Sequence, residues 1–326
     1  SCALFAAING SAIATAIAIG SIMYPAMVDD GYPPPFAAAV IAAGGVVGPI
    51  IPPSIPMIVY GSSTGDSIAA LFSGGIVLGI IIVIGEIFIC CFISKKKGYG
   101  GSKKTAAFGS TKGVAWALIF PVLIFMSIIS GFMTATETAA LAVVYAWLVG
   151  TFVYKELKPG GFPAMVMRAM KSSGSVMAIV GSATTVAWVL TYNRVPQQVT
   201  EAMVNGISSP AVFMLISFLI LFVIGMIMDL TPAILILTPI FMGPIKAFNV
   251  DPVYFGVFFC SILTAGLITP PVGTLIYMGC SQAKVSFGTM VRYLLPFVLV
   301  VYAVMLLATV FPDIITFLPK HILHIY

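Results

Sequence analysis

Long apolar stretches alternate with short polar ones along almost the whole chain. The apolar segments, by residue number, are 1–27, 36–61, 68–94, 113–131, 136–154, 172–192, 211–247, 253–278 and 288–312. Each is close to or longer than the ~20 residues that a helix needs to cross a bilayer. The pattern predicts an all-α polytopic membrane protein, surrounded by the lipid bilayer.

Four of these segments are interrupted internally. Segment 1–27 breaks at Asn9-Gly10-Ser11 and segment 211–247 at Asp229-Leu230-Thr231-Pro232, which predicts two re-entrant helical hairpins with polar tips. Segments 36–61 and 253–278 are interrupted by GPIIPP, from Gly48, and by GLITPP, from Gly266. Because proline removes a backbone donor and clashes with the preceding turn, these segments predict helices that unwind within the membrane.

The composition supports a location in lipid. Hydrophobic residues make up 60% of the sequence and charged residues 8%, against roughly a quarter charged in soluble domains. The net charge of +5 does not indicate a nucleic-acid partner, because ten of the fifteen Lys and Arg residues lie in two short loops. These ten are Lys95, Lys96, Lys97, Lys103, Lys104 and Lys112 in the first loop and Lys155, Lys158, Arg168 and Lys171 in the second.

The two basic loops predict an orientation. Loops rich in Lys and Arg face the cytoplasm, and two crossings separate these loops, so both can lie on that side. The first hairpin then opens to the cytoplasm and the second to the opposite side. Residues 162–171, which mix apolar side chains with Arg168 and Lys171, predict a short amphipathic helix on the membrane surface.

The chain contains an internal repeat. A shift of 218 residues brings Gly48, Pro52 and Pro53 onto Gly266, Pro270 and Pro271 without a gap, and the first tip onto the second. Because the two copies face opposite sides, this predicts an inverted-topology repeat, which many secondary transporters use to build a site at the membrane midplane. Three crossings, 113–192, precede the second hairpin and none precedes the first, so we expect roughly 100 further residues with about three crossings before residue 1.

The interrupted helices point to cation binding. The double prolines free the carbonyls of Gly48, Pro49, Gly266 and Leu267 from helical hydrogen bonds, and free carbonyls inside a bilayer need a partner. A dehydrated cation is one such partner, with further oxygens from Ser11, Asp229 and Thr231. Two packed proline kinks are the alternative, which the duplication makes less attractive.

Several polar residues within the apolar segments admit a structural interpretation. Asp229 lies at membrane depth, where a charge costs at least ~2.5 kcal/mol, but Thr231 could cap a helix there with Asp229 beside its positive end. Glu86 is expected to snorkel or to pair with a neighbour, with a transport role as the alternative. Glu137 is expected to cap a helix.

The same tips favour an anionic ligand. The second limb of each hairpin begins near Ser11 or Thr231, so two positive helix ends would point at one central space. No Lys or Arg lies at the midplane of this sequence. We therefore expect the substrate to be held by helix dipoles, by co-bound cations and by hydroxyl groups of Ser11, Ser54, Thr231 and Thr274.

The motifs at Asn9-Gly10-Ser11, 48–54 (GPIIPPS), 229–232 (DLTP) and 269–273 (TPPVG) occur in an order and spacing that resemble a known family. The chain is similar to the large membrane (M) subunit of TRAP (tripartite ATP-independent periplasmic) transporters, within the ion transporter superfamily. This resemblance implies a sodium-coupled elevator importer of the bacterial inner membrane. It also implies two partners, a small membrane (Q-type) subunit and a periplasmic substrate-binding protein. Typical family substrates are carboxylates such as C4-dicarboxylates and sialic acids.

The resemblance also implies site residues and a division of the chain. The two sodium sites would be formed by Gly10, Ser11, Gly48, Pro49, Ile51 and Pro52, and by Asp229, Thr231, Gly266, Thr269 and Pro270. Residues 1–67 and 193–287 would form the moving transport domain. Residues 68–192, with cytoplasmic loops 95–112 and 155–171, would be mainly scaffold, and 288–326 a last scaffold helix and tail.

Other functions fit the sequence less well. A binding-protein-independent Na+/dicarboxylate or citrate symporter of the same superfamily is the main alternative, and a scaffold subunit without its own transport site is a distant one. An intramembrane hydrolase is disfavoured, because the only histidines, His321 and His324, lie in the tail and no HExxH motif occurs. We therefore expect no enzyme and no organic cofactor.

Overall fold

All regular structure that can be described in this protein is helical. The computed structural model describes residues 1–100, 114–157 and 159–325, and within these ranges every regular element is a helix. Seven of the described helices are long and apolar enough to cross a membrane. The predicted all-α polytopic architecture is therefore confirmed. Lys103, Lys104, Lys112 and Lys158, which contribute to the predicted orientation, lie outside the described residues.

The helices follow the predicted segments and their breaks. The first seven are α1 (Cys2–Asn9), α2 (Ala12–Asp29), α3 (Pro34–Val46), α4 (Ile55–Thr64), α5 (Ile68–Lys97), α6 (Val114–Ile129) and α7 (Ala135–Leu148). The remaining eight are α8 (Phe162–Tyr192), α9 (Val195–Gly206), α10 (Pro210–Ile227), α11 (Leu230–Ala247), α12 (Pro252–Ala265), α13 (Thr274–Ala283), α14 (Phe287–Val310) and α15 (Asp313–Phe317). All four predicted interruptions separate two helices.

The internal repeat recurs in the helix boundaries. When α2 is shifted by 218 residues, both of its ends coincide with those of α11. The same shift places α3 and α4 on α12 and α13 to within one residue at each end. The Pro52-Pro53 and Pro270-Pro271 peptide bonds are both cis. The repeat is thus a repeat of structure as well as of sequence.

One predicted element is wrong and two were missed. Residues 162–171 do not form a separate surface helix, because α8 continues without a break to Tyr192. Nothing in residues 171–175 stops a helix, since a single internal glycine is tolerated. Helices α9 and α15 were not predicted; α9 is too polar and α15 too short to stand out from its surroundings.

The start of α7 agrees with the prediction for Glu137. The Thr134 amide donates to Glu137 Oε2 at 2.8 Å, and the Glu137 amide donates to Thr134 Oγ1 at 3.3 Å. This reciprocal pair is a capping box. Glu137 is therefore a cap residue, as expected.

The broken helices form the centre of the molecule. Every residue of α12 from Val253 to Ala265 is buried, and nine of the thirteen residues of α3 are buried. Helices α5 and α14 pack against both. In α8, by contrast, Ala183 is the single buried residue among those described. A helix that is apolar on all sides has to be enclosed, which places the two interruptions deep in the protein.

Candidate functional site at the meeting point of the two tips

The first hairpin tip is a two-residue turn between α1 and α2. Gly10 ends α1 with φ +66°, and its amide donates to the Ala6 carbonyl at 2.9 Å. Glycine adopts this left-handed conformation without steric cost. Ser11 begins α2, and its hydroxyl accepts from the Ala14 amide at 3.4 Å, as N-cap residues do. The predicted polar break is therefore a tight turn with defined caps.

This tip lies directly against the loop that interrupts the first broken helix, residues 47–54. A Cβ atom at Gly48 would stand 3.0 Å from the Ser11 carbonyl carbon and oxygen. A Cβ atom at Gly10 would overlap the carbonyl oxygen of Pro53. Backbone meets backbone at both points, so no side chain separates the tip from the loop.

Ser54 stabilises this loop from inside. Its hydroxyl donates to the Pro49 carbonyl and accepts from the Met57 amide at 3.3 Å. It therefore caps α4 and also satisfies one of the carbonyls that the double proline releases. Ser54 is fully buried, and its hydroxyl is occupied within the loop.

The second tip is built differently from the first. Helix α11 begins at Leu230 with Asp229 as its N-cap residue, and Thr231 is its second residue. The expectation that Thr231 caps this helix is therefore wrong. Pro232 is accommodated at the third position because the first-turn amides have no helical partner to lose. The Asp229 carboxylate makes no capping hydrogen bond and its side chain is exposed, which leaves it available to a ligand.

The second loop, residues 266–273, packs against the end of α10. A Cβ atom at Gly266 would overlap the carbonyl group of Gly225. The Val272 amide donates to the Met226 carbonyl at 3.3 Å. The loop is thus held by the first limb of the second hairpin, a few residues before its tip.

Two threonines of this loop region have buried hydroxyl groups. The Thr269 hydroxyl donates to the Ala265 carbonyl at 2.8 Å and lies 3.0 Å from the Tyr302 hydroxyl, with which it forms a hydrogen bond. Thr269 is therefore tied to α12 and α14. The Thr274 hydroxyl, by contrast, is buried without a hydrogen-bond partner among the described residues.

Both tips open onto one cavity of about 150 Å³. Five of the predicted site residues line it: Gly10, Ser11, Pro49, Asp229 and Thr231. Segments that are more than 200 residues apart in sequence therefore converge on one small space. The remaining predicted site residues do not line this cavity: Gly48, Ile51, Pro52, Ser54, Gly266, Thr269, Pro270 and Thr274.

Sequence reasoning missed the apolar part of the cavity wall. Ile13, Ile55, Pro56, Leu230 and Leu267 contribute to it. Ile13 and Ile55 are 42% and 46% exposed, although each lies beside a buried turn. Their positions next to the helix starts at the two breaks were the available signal, but one isoleucine among many in an apolar sequence carries little information.

The charges around the cavity are few. Helices α2 and α11 both begin at its wall, and each contributes roughly half a positive charge from its N-terminal amides. Asp229 has the only charged side chain among the lining residues. No group of three or more His, Cys, Asp or Glu that could hold a metal ion occurs in the described ranges. A cation here would be bound by backbone and hydroxyl oxygens and one carboxylate, which suits a hard ion.

The sequence was compared with known protein families. A family model described as "Tripartite ATP-independent periplasmic transporter, DctM component" matches residues 1–314. The chain belongs to this family. The resemblance seen in the four sequence motifs is therefore confirmed.

Relatives with different cargoes match most of the chain. The 2,3-diketo-L-gulonate TRAP transporter large permease protein YiaN of Escherichia coli is 35% identical over 96% of this chain and 74% of its own length. The isethionate TRAP transporter permease protein DctMQ of Oleidesulfovibrio alaskensis is 37% identical over 96% of this chain, which spans only 50% of that longer protein. The sialic acid TRAP transporter large permease protein SiaM of Vibrio cholerae is 32% identical over 97% of this chain and 75% of its own length.

Membership of this TRAP family has direct consequences. The chain is a multi-pass membrane protein, with an inner-membrane location implied by the family. The family indicates a transport protein for anions, not an enzyme. It also implies two partners, a small membrane subunit and a periplasmic binding protein, and the DctMQ relative carries a name that joins the two membrane components.

Proposed function

We propose that this chain is the large permease of a sodium-coupled importer for a small organic anion. One observation carries the proposal. Two hairpin tips and two interrupted helices, from opposite ends of the sequence, meet at a single cavity with two helix N-termini at its wall. Such an arrangement of broken helices around a central space is how secondary transporters hold ions and substrates.

The proposed sodium sites lie on either side of this cavity. The first uses oxygens from the turn and loop Gly10, Ser11, Gly48, Pro49, Ile51 and Pro52. The second uses Asp229, Thr231, Gly266, Thr269 and Pro270. The backbone contact between the first tip and its loop supports the first site, and the uncapped Asp229 carboxylate supports the second.

The size and charge of the cavity support a small substrate. A cavity of about 150 Å³ can hold benzene, so this one suits an anion of about six to eight non-hydrogen atoms. Isethionate or a C4-dicarboxylate fits that limit better than sialic acid. The anionic group would bind the helix N-termini and the hydroxyls of Ser11 and Thr231, with Ser54 and Thr274 behind the wall and the carbon chain against Ile13.

We further propose that the two hairpins are re-entrant, that the repeats have inverted topology, and that transport follows an elevator mechanism. The moving unit would contain residues 1–67 and 193–287. Helices α5 and α14 were assigned to the scaffold from sequence, but they share the buried core with α3 and α12. We therefore propose that they move with the hairpins and that α6, α7 and α8 form the scaffold.

Uptake measurements test the proposal. The full permease, with its small subunit and binding protein, is reconstituted in proteoliposomes, and uptake of isethionate, succinate and sialic acid is measured at several Na+ concentrations. We expect S11A and D229N to raise the Na+ concentration for half-maximal uptake about tenfold or more, since each removes an ion ligand. D313N, which removes a carboxylate at the distant α15 helix, is the matched control. Uptake that does not require Na+, or unchanged Na+ activation in both variants, would refute sodium coupling.

A further inference from the structure

A second, larger cavity lies away from the two tips. It has a volume of about 250 Å³ and is formed by α1, α2, α3, α5 and α14. Its wall is almost entirely apolar and includes Met23, Val40, Val83 and Phe297. Among the lining residues, Glu86 alone has a charged side chain.

Glu86 does not behave as the sequence suggested. It was expected to snorkel or to pair with a neighbour, but it is only 8% exposed and its Oε1 atom is buried without a hydrogen-bond partner among the described residues. The exposed face of α5 is formed by other residues, including Ile84, Ile87 and Phe88. The carboxyl group is thus on the protein side of the helix, because residue 86 falls on the α5 face that packs against the first hairpin.

The position of Glu86 along α5 makes an unpaired charge costly. Lys95, Lys96 and Lys97 end this helix, and at 1.5 Å per residue Glu86 lies about 15 Å from them along the axis. None of these lysines forms a described salt bridge with it. A carboxylate at membrane depth normally has a partner, and no described side chain supplies one.

A metal ion is not indicated as that partner. Three cysteines, Cys2, Cys90 and Cys91, also line this cavity. They do not form a group of three or more metal-binding side chains with Glu86 in the described parts of the chain. The remaining wall consists of hydrocarbon and thioether groups, which suit an apolar molecule.

We propose that this cavity binds a primary ammonium group carried on an apolar chain, with the ammonium at Glu86 and the chain along the apolar wall. The ammonium supplies the missing charge-assisted hydrogen bond. A cavity of about 150 Å³ holds six carbon atoms, so 250 Å³ accommodates an ammonium with a chain of about eight carbons. Two sources have this chemistry, a free alkylamine and the headgroup of an ethanolamine phospholipid.

Two cysteines provide a readout that does not depend on transport. Cys90 lies one helical turn beyond Glu86 on α5, and Cys90 and Cys91 both line the cavity. An occupant should therefore slow their reaction with a small thiol reagent. Cys280 on α13 does not line the cavity and serves as an internal control. Because binding is measured directly, this test is independent of the proposed sodium coupling.

The experiment uses the full permease with its partner subunit, purified and reconstituted. We expect n-octylammonium to slow modification of Cys90 and Cys91 about tenfold, while n-octanol and octanoate do not, and Cys280 is unaffected. E86Q should raise the protecting concentration of n-octylammonium about tenfold. E156Q removes an exposed carboxylate elsewhere and should leave protection unchanged.

Further variants and lipids decide the remaining questions. V83F fills the apolar part of the cavity and keeps Glu86, so it should abolish protection even if E86Q does not fold. Protection without added amine in phosphatidylethanolamine vesicles, and its loss in phosphatidylglycerol vesicles, would identify a lipid as the source. Equal protection by n-octanol and n-octylammonium, no protection by either in any lipid, or full protection in E86Q or V83F would overturn the proposal.

Discussion

Replacing Gly10 by alanine tests whether close contact between the first tip and its loop is required for transport. Gly10 ends α1 in a left-handed conformation with φ +66°, which costs an alanine about 1 kcal/mol. The new Cβ atom would also overlap the carbonyl oxygen of Pro53. Relief of such an overlap typically costs a further 1–3 kcal/mol, and here the tip or the loop has to move to provide it.

Gly65 offers a matched control for the conformational cost. It ends α4 with φ +82°, and its amide donates to the carbonyl four residues earlier at 2.8 Å, much as at Gly10. A Cβ atom at Gly65 would meet no atom within 4 Å. G65A therefore carries the cost of left-handed backbone without the overlap. The difference between the two variants isolates the contact between tip and loop.

We expect G10A to raise the Na+ concentration for half-maximal uptake about tenfold or more, which corresponds to about 1.4 kcal/mol. G65A should stay within about twofold of wild type. Uptake in proteoliposomes at several Na+ concentrations gives both values, and thermal unfolding of each variant checks that the protein is intact. Equal effects of G10A and G65A on Na+ activation, at equal stability, would show that the tip–loop contact is not needed for ion binding.

Three other perturbations follow from the same geometry. S54A should lower stability by about 1–3 kcal/mol, because it removes a helix cap and leaves a buried carbonyl unsatisfied; S67A, which removes only the cap of α5, should cost about 1 kcal/mol in the same denaturation assay, and equal losses would contradict the second role of Ser54. Y302F removes the hydroxyl that binds the second loop and should cost about 1 kcal/mol of stability, with no change if that bond is absent in solution. Cysteines introduced at Asp66 and Lys97, at opposite ends of α5, should react with impermeant reagents from opposite faces of the membrane, and labelling from one face would refute the topology.

Much of the fold could be predicted from sequence because its causes are local. A run of about 20 apolar residues has to be a buried or membrane-spanning helix. A double proline interrupts a helix wherever it occurs. The breaks after Asn9 and Met228 and the 218-residue repeat follow from such signals. The helix boundaries bear them out closely, with α2 and α11 coinciding end for end after the shift.

The same reasoning found the parts of the site but not the role of each atom. Gly10, Ser11, Pro49, Asp229 and Thr231 do line one cavity. Sequence could not show which oxygens were already used, because hydrogen bonds depend on how loops close in three dimensions.

The sequence by itself determined where the chain is helical, where it breaks and that it repeats, because backbone constraints and hydrophobic periodicity act within a few residues. Only the tertiary structure decided that the Ser54 hydroxyl is taken up by a loop carbonyl, that Asp229 rather than Thr231 begins α11, and that Glu86 is enclosed without a partner among the described residues. Each of these depends on which helix faces a residue finds beside it. In a chain that is 60% hydrophobic, nearly every helix face is apolar, so the pattern does not specify the neighbour.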